Sequence, residues 1–385
     1  MSASPIDLVN RRVRWWAIRN PHLRAVSDVL FGAVPILFLA VMTWSVLHGP
    51  FSALDFRNAY WYAGHRVLAG SSPYLWTAAQ LREGVAFVYP PLSAVVFAPA
   101  ALLPRSVGSV AFTLVGLLVA PATLALMGVR DWRVYVVASV WLPVCAGWLT
   151  ANESLLLALG LAGVWRWRER PGFAGFLTAA MLSLKPLLWP LALWLIATRR
   201  WRASAHTLVW CVVLNAGAWS IVGFGQIGSY LRAVNLDTAF NWRLGFGVPA
   251  VLGQLGAGRP AAVALMIILS AGLVAAVLHS GLARRNDVQS MTLAVALAIV
   301  SSPLLWSHYL ALLLVPVALR RPRLDWTWAL PVVLWVAPPD AGLRLWQEAV
   351  FWVATALILV ALLWPQRPRN AGLPSPSWRV PQVQT

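Results

Sequence analysis

A polar segment follows the first long apolar run of the chain, and it begins with an aspartate. The segment reads D-F-R-N-A-Y-W-Y-A-G-H-R-V-L-A-G-S-S-P-Y from Asp55, and F-V-Y-P-P-L follows from Phe87. A positioned carboxylate can act as a general base by accepting the proton of an attacking hydroxyl group. The chain has only 12 acidic residues, so a carboxylate at this position is a candidate catalytic group.

Asp55 also has a purely structural interpretation. Apolar side chains recur with spacings of four, three and four residues, at Phe56, Tyr60, Ala63 and Val67. This periodicity predicts an amphipathic helix at the membrane surface, and Gly70 before a Ser-Ser-Pro turn is a typical end for it. Asp55 can then be the N-cap of this helix, a role that stabilises the anion and weakens the base. Both roles remain open at this point.

Candidate cations for binding a phosphate group are few. Lys185 is the only lysine of the chain, and it precedes Pro186 between two short apolar runs. An ionisable side chain at that depth in a membrane protein is a functional candidate. Arg57 and Arg243 are further candidates for contact with the phosphate, although contact with lipid headgroups is their simpler explanation.

Other polar and aromatic residues are candidates for binding a substrate. They are Tyr60, His65, Tyr74, Tyr89, Asn152, Glu153, Asn241 and His308. A lone histidine beside Trp and Tyr is often an interfacial anchor, and Asn152-Glu153 can be a plain turn. Asp237 belongs to the same polar set, but the sequence assigns it no role.

Membrane helices must position these residues. The chain is 60% hydrophobic and 11% charged, whereas a soluble domain has about 25% charged residues. Apolar runs of about 20 residues recur along it, which predicts an all-α polytopic membrane protein. The net charge of +18 comes from short basic clusters between the apolar runs. That distribution is typical of cytoplasmic loops near membrane lipids and argues against a nucleic-acid partner.

Placing the basic clusters in the cytoplasm predicts about twelve passes, within a range of roughly 10–13, and two cytoplasmic termini. The predicted divisions are a basic cytoplasmic N-terminus at 1–27, an integral membrane domain at 28–365 with its first extracytoplasmic loop at 49–90, and a disordered cytoplasmic tail at 366–385. This topology brings the candidate residues together on the extracytoplasmic side, where we expect the active site.

The scarcity of carboxylates indicates the kind of sugar donor. A glycosidase needs two carboxylates because its leaving alkoxide must be protonated. Phosphate leaves as a stable anion, so one base is sufficient for transfer from a lipid phosphate. No D-x-D or E-x-D pair occurs in the loop 49–90, so we infer neither a bound metal nor a cofactor.

Three blocks of the sequence carry a resemblance to a known family. They are Asp55, Tyr60, Gly70 to Tyr74 and Phe87-Val88-Tyr89-Pro90-Pro91-Leu92; then Lys185, Pro186 and Arg199-Arg200-Trp201; and finally Ser302-Pro303, Trp306 and His308. In these blocks the chain resembles glycosyltransferase family 87, the polyprenyl-phosphate-mannose-dependent α-(1→2)-mannosyltransferases common in actinobacteria. One departure concerns a hairpin tip: the family's Gly-Gln-x-Asn reads Ala151-Asn152-Glu153-Ser154 here, so the sugar or the acceptor can differ.

The resemblance implies a GT-C-type fold, Asp55 as the catalytic base, a polyprenyl-phosphate donor and inversion at the sugar carbon. We therefore expect a hexosyltransferase in a bacterial plasma membrane that moves a hexose, most simply mannose, to a hydroxyl of a glycolipid or glycan. The alternative is a polytopic transporter, or a flippase for lipids or lipid-linked sugars, because many passes and short helices fit that class too. The segment 55–91 favours the enzyme, since a transporter needs no surface helix that carries an aspartate.

Overall fold

A computed structural model describes residues 25–26, 29–48, 53–83, 86–337 and 344–364. The described residues form helices and contain no β-strand, in agreement with the predicted all-α class. Apart from residues 25–26, the predicted N-terminal segment 1–27 lies outside the described residues, as does the predicted tail 366–385.

The helices follow one another without long irregular segments. Their bounds are Val29–Ala33, Val34–His48, Phe56–Tyr60, Trp61–Leu68, Ala78–Arg82, Pro91–Phe97, Pro99–Leu102, Arg105–Leu126, Trp132–Ser139, Leu142–Leu149, Ser154–Arg166, Pro171–Leu184, Pro186–Leu188, Pro190–Ala197, Trp201–Val222, Phe224–Gln226, Ile227–Asn241, Val248–Gln254, Arg259–Leu278, His279–Ala283, Asp287–Val300, Ser307–Leu313, Leu314–Arg320, Trp326–Val336 and Leu345–Leu363.

Only some of these helices are long enough to cross a bilayer alone. Four qualify by length and composition within the described ranges: Arg105–Leu126, Trp201–Val222, Arg259–Ala283 and Leu345–Leu363. The pair Trp132–Ser139 and Leu142–Leu149, bent by 61°, adds a fifth if it forms one span. The remaining apolar helices have 10–17 residues, fewer than the about 20 that a straight crossing needs. The count of about twelve passes therefore stays a prediction.

The main hydrophobic core surrounds the helix Ser154–Arg166. Its Leu155, Leu157 and Leu161 are fully buried, and the helix packs against Arg105–Leu126 and Pro171–Leu184. Burial of a leucine side chain contributes about 1.5–3 kcal/mol. This helix is therefore a rigid base for the residues that immediately precede it, which belong to the candidate site.

A second, smaller core lies under the helix that follows Asp55. We call Phe56–Tyr60 and Trp61–Leu68 together the loop helix. Of the four apolar residues whose spacing predicts this helix, Phe56, Tyr60 and Ala63 are buried and Val67 is half-buried. Tyr60 stacks on Phe97 with ring centroids 4.4 Å apart. Gly70 follows the helix with φ +65°, a conformation that favours glycine, so the helix ends where the sequence predicts. Its position at a membrane surface stays a prediction.

Gly64 sets the distance between the loop helix and the helix Pro91–Phe97. A Cβ atom added at Gly64 would lie 2.8 Å from the carbonyl oxygen of Phe97. We expect Gly64→Ala to separate the two helices and to destabilise the fold by about 1–3 kcal/mol. Thermal unfolding of the detergent-purified variant measures the loss.

Gly217→Ala is the matched control, because a Cβ at Gly217 meets nothing within 4 Å. Alanine is favoured over glycine in a helix by about 1 kcal/mol, so this variant should be at least as stable as the wild type. Equal unfolding temperatures for the two variants would contradict the packing described for Gly64.

Candidate active site

Backbone hydrogen bonds fix Asp55 against a hairpin between two helices. We call residues Ala151–Glu153, between Leu142–Leu149 and Ser154–Arg166, the hairpin tip. The amide of Ala53 donates to the carbonyl of Leu149 over 2.8 Å, and the amide of Asp55 donates to that of Thr150 over 2.9 Å. These bonds place the start of the loop helix beside the hairpin tip, although 97 residues separate Asp55 from Asn152 in sequence.

The backbone is strained on both sides of this junction. Ala53 and Ala151 both have φ of 50°, and both are buried. The left-handed region costs an alanine roughly 1–2 kcal/mol relative to ordinary helical backbone. Residues held in such conformations cluster at functional sites, where the surrounding packing enforces them.

Asn152 holds the carboxylate of Asp55. Its Nδ2 donates to Asp55 Oδ2 over 2.7 Å. Its Oδ1 accepts from the amide and the hydroxyl of Ser154 over 2.9 and 2.5 Å. Because Ser154 occupies the oxygen, the orientation of the Asn152 amide is fixed with its nitrogen toward Asp55.

The side chain of Asp55 does not cap the loop helix. Asp55 has helical backbone angles, φ −69° and ψ −42°, and makes no side-chain capping hydrogen bond. Burial raises the pKa of Asp55, and the hydrogen bond from Asn152 and the charge of Lys185 partly offset this rise. A raised pKa makes the carboxylate a stronger base.

Asp55 lines a cavity of about 120 Å³, which we call the inner cavity. Its wall consists of Leu54, Asp55, Asn58, Ala59, Ala86, Val88, Tyr89, Asp237, Asn241, Leu304, Trp306 and Tyr309. The helix Ile227–Asn241 thus brings a second carboxylate, Asp237, to the same space as Asp55. The mixture of carboxylates, amides and aromatic rings suits a ligand that is rich in hydroxyl groups.

Lys185 lies beside the site, but it is already paired. Its Nζ is 3.5 Å from Glu153 Oε1, and both side chains are buried. The Nζ also lies 4.3 Å from the centroid of the Tyr309 ring and 5.0 Å from that of Tyr89. A cation over aromatic faces is attracted by their electron density. Lys185 thus contacts two aromatic rings that line the inner cavity, although its own side chain is not part of the cavity wall.

Several predicted residues converge here. Tyr89 and Asn241 line the inner cavity, and the hydroxyl of Tyr60 lies 3.4 Å from Asn152 Nδ2. Glu153 and Asn152 occupy the hairpin tip. His308 is buried beside Tyr309, and its Nε2 has no hydrogen-bond partner in the described part of the chain.

Other predicted residues lie apart from the inner cavity, and their roles stay predictions. Neither Arg57 nor Arg243 is part of its wall, and Arg243 packs 4.9 Å from the centroid of the Trp242 ring. His65 is exposed and stacks on its neighbour Trp61. Tyr74 is buried and donates its hydroxyl to the carbonyl of Tyr89 over 3.0 Å, so it supports the wall from behind.

Asp237 is the residue whose importance the sequence does not reveal. An aspartate in a polar loop is ordinary, and the only available signal is its spacing of four residues from Asn241, which places both on one face of a helix. Within the described residues, no group of three or more His, Cys, Asp or Glu side chains could hold a metal ion. Independence from metals stays a prediction.

Comparison with known proteins gives a family match across the middle of the chain. The model of glycosyltransferase family 87 matches residues 87–307, more than half of the 385 residues. The matched range includes the hairpin tip, Lys185 and Asp237. It begins after Asp55 and ends one residue before His308.

Two curated relatives carry the same name, polyprenol-phosphate-mannose-dependent alpha-(1-2)-phosphatidylinositol pentamannoside mannosyltransferase. The protein of Mycobacterium tuberculosis is 24% identical over 305 residues, covering 72% of this chain and 64% of the relative. That of Mycolicibacterium smegmatis is 25% identical over 303 residues, covering 72% and 67%. The chain thus spans about two thirds of the length of these relatives. Neither is a transporter or a flippase, so that alternative is not favoured, and no solved structure matches the chain.

The buried pair of Glu153 and Lys185 gives a test of the site's architecture. Lys185→Met should destabilise the protein by about 3–5 kcal/mol, because it leaves the carboxylate of Glu153 buried without its cation. Adding Glu153→Gln removes that charge, so the double variant should be more stable than Lys185→Met alone. Thermal unfolding of both single variants and the double variant completes the cycle. Losses that simply add would contradict a direct interaction.

Proposed function

This chain belongs to glycosyltransferase family 87, and from that premise we propose that it is an integral membrane glycosyltransferase. It transfers a hexose, mannose in the simplest case, from polyprenyl phosphate to a hydroxyl of a glycolipid or glycan. The observation that carries this proposal is the carboxylate of Asp55, which Asn152 holds at the wall of the inner cavity. The names of the two curated relatives support the choice of donor.

The chemistry follows from one base and a stable leaving group. The acceptor hydroxyl attacks the first carbon of the donor sugar, and its proton passes to the carboxylate of Asp55. The bond from that carbon to the phosphate oxygen breaks, and the phosphate keeps the electron pair. Attack opposite the leaving group inverts the configuration. A general base in such a step contributes about 10²–10⁴-fold to the rate.

Lys185 is the proposed cation for the donor phosphate. Before donor binding, Glu153 neutralises it at 3.5 Å. A donor phosphate that binds Lys185 therefore either shares the ammonium group with Glu153 or displaces Glu153 from it. Because charge-assisted hydrogen bonds to phosphate are stronger than neutral ones, the exchange is feasible without a metal ion.

The side of the reaction and the acceptor complete the proposal. The predicted topology puts the candidate residues on the side opposite the basic clusters, so the proposal includes an extracytoplasmic active site. The relatives are named for a phosphatidylinositol pentamannoside acceptor. A mannosylated phosphatidylinositol is therefore the first acceptor to test, and the departure at Ala151-Asn152-Glu153-Ser154 is a reason to test neighbouring glycolipids as well.

Asp55→Asn tests the assignment of the base. The amide keeps the size of the side chain but cannot accept the proton, so we expect kcat to fall by about 10²-fold or more. The assay follows radiolabelled mannose from polyprenyl phosphate to the mannosylated acceptor with purified protein in detergent.

Glu169→Gln is the control for this variant. Glu169 is an exposed carboxylate that pairs with Arg200, and it is not part of the wall of the inner cavity. It should keep full activity. Full activity of Asp55→Asn would refute the assignment. Movement of the labelled lipid across a vesicle membrane without turnover would instead support the flippase alternative.

The pH dependence of the reaction tests the environment of Asp55. The base works as the carboxylate, and burial raises its pKa. Activity should therefore be lost on acidification at a pH above the ordinary pKa of an aspartate. Asn152→Ala removes a hydrogen bond that lowers this pKa, so its acid limb should lie at still higher pH. A profile of kcat/KM against pH for both proteins measures the shift, and an unchanged acid limb would contradict the contact.

A further inference from the structure

Asp237 is held in place as if for a ligand. It lies on the helix Ile227–Asn241 and is 9% exposed. One carboxylate oxygen accepts from Asn241 Nδ2 over 2.8 Å, and the same Nδ2 donates to the carbonyl of Leu81 over 2.9 Å. One hydrogen of the Asn241 amide thus binds Asp237, and the other binds Leu81 and fixes the orientation of the amide. The other carboxylate oxygen accepts no hydrogen bond from the described residues.

The other oxygen of Asp237 can accept a hydrogen bond from a ligand in the inner cavity, and such a bond stabilises a largely buried carboxylate. The other side chains with polar atoms on this wall are Asp55, Asn58, Asn241 and the aromatic Tyr89, Trp306 and Tyr309. None of them is a cation, so neither a phosphate nor a carboxylate ligand would be favoured next to Asp237. A hydroxyl group is the ligand that both carboxylates can accept from. The inner cavity therefore suits a sugar that presents two hydroxyls.

A second cavity next to the inner cavity indicates whether the sugar beside Asp237 belongs to the donor or to the acceptor. A larger space of about 490 Å³, the outer cavity, shares Asn58, Ala59 and Ala86 with the inner cavity. Its polar lining includes Arg66, Gln80, Glu83 and Arg105. The helix Ala78–Arg82, which carries Gln80, also provides the carbonyl that holds Asn241. The outer cavity thus adjoins the inner cavity at the three residues that they share, whereas Asp237 lies on the wall of the inner cavity only.

A polar chamber suits a glycan and not a polyprenyl chain, which must remain in lipid. The proposed phosphate contact, Lys185, lines neither cavity, but it contacts the rings of Tyr89 and Tyr309, which line the inner one. The donor phosphate is therefore assigned to this pair of rings, and the outer cavity to the other substrate. The sugar beside Asp237 is therefore the acceptor.

We propose that Asp237 is an acceptor-selecting residue, whose carboxylate binds a hydroxyl of the acceptor sugar next to the hydroxyl that Asp55 deprotonates. This inference rests on the proposed function. Asn241 is the positioning residue that orients Asp237. The outer cavity takes the following sugar of the acceptor, so an acceptor with two sugars binds more tightly than one with a single sugar.

Kinetics with two simple acceptors test the proposal. The probes are octyl α-mannoside and an octyl α-mannobioside, with polyprenyl-phosphate mannose as donor. Asp237→Asn loses a hydrogen bond to a charged group, so the KM for either acceptor should rise about 10-fold or more. The KM for the donor and the slow transfer of mannose to water should not change. Asp237→Glu should recover part of the acceptor affinity.

A control variant and two outcomes that would overturn the proposal complete the kinetic test. Glu169→Gln should leave both KM values unchanged, and equal unfolding temperatures show that Asp237→Asn is folded. An unchanged acceptor KM in Asp237→Asn overturns the proposal. A raised donor KM with an unchanged acceptor KM also overturns it, because Asp237 would then bind the donor sugar.

Binding without turnover separates this proposal from the proposed function. Trp306 lines the inner cavity, so quenching of tryptophan fluorescence can report binding of each octyl glycoside to the purified protein. The wild type should bind the mannobioside more tightly than the mannoside, and Asp237→Asn should bind both more weakly. If the wild type transfers no mannose to any acceptor or to water, the proposed function fails, while this measurement still decides the role of Asp237. Absence of binding by the wild type overturns the inference.

Discussion

The hydrogen bond from Asn152 to Asp55 is the interaction on which the candidate site depends. It joins the start of the loop helix to a hairpin tip 97 residues later in the chain. Two backbone hydrogen bonds fix the same junction. The amides of Ala53 and Asp55 donate to the carbonyls of Leu149 and Thr150, where the helix before the hairpin tip ends. Burial of a carboxylate costs several kcal/mol unless its oxygens are satisfied. This junction supplies one such bond and holds Asp55 at the wall of the inner cavity.

The junction also explains a difference from the family's pattern. The family has glycine where this chain has Ala151, and Ala151 has φ of 50°. Glycine adopts that conformation without steric cost, whereas alanine is strained by roughly 1–2 kcal/mol. The strain is tolerated because Ala151 is buried in the same small core as Phe56 and Phe97. Packing in this core thus holds Ala151 in a conformation that glycine adopts without strain.

The sequence predicts local features well and the pairing of distant residues poorly. The spacing of Phe56, Tyr60 and Ala63 gives the loop helix, and Gly70 gives its end, because both depend on residues within two turns. The ion pair of Glu153 with Lys185 joins two separate turns between helices, and no periodicity reveals it. Asp237 and Asn241 have helical spacing, but only the tertiary fold shows that they face Asp55. The number of passes is unreliable for another reason: many apolar helices here are shorter than a bilayer.

Charge balance links the parts of the site to one another. Asp55, Glu153 and Lys185 together carry one net negative charge when both carboxylates are ionised. In a medium of low polarity, an added phosphate is repelled by both carboxylates and attracted only by Lys185. Glu153 therefore has two opposing effects: it stabilises Lys185 when no donor is bound, and it competes with the donor for the same cation. A neutral glutamine in place of Glu153 would have neither effect. The carboxylate at this tip thus makes the occupancy of Lys185 and the proton affinity of Asp55 depend on each other.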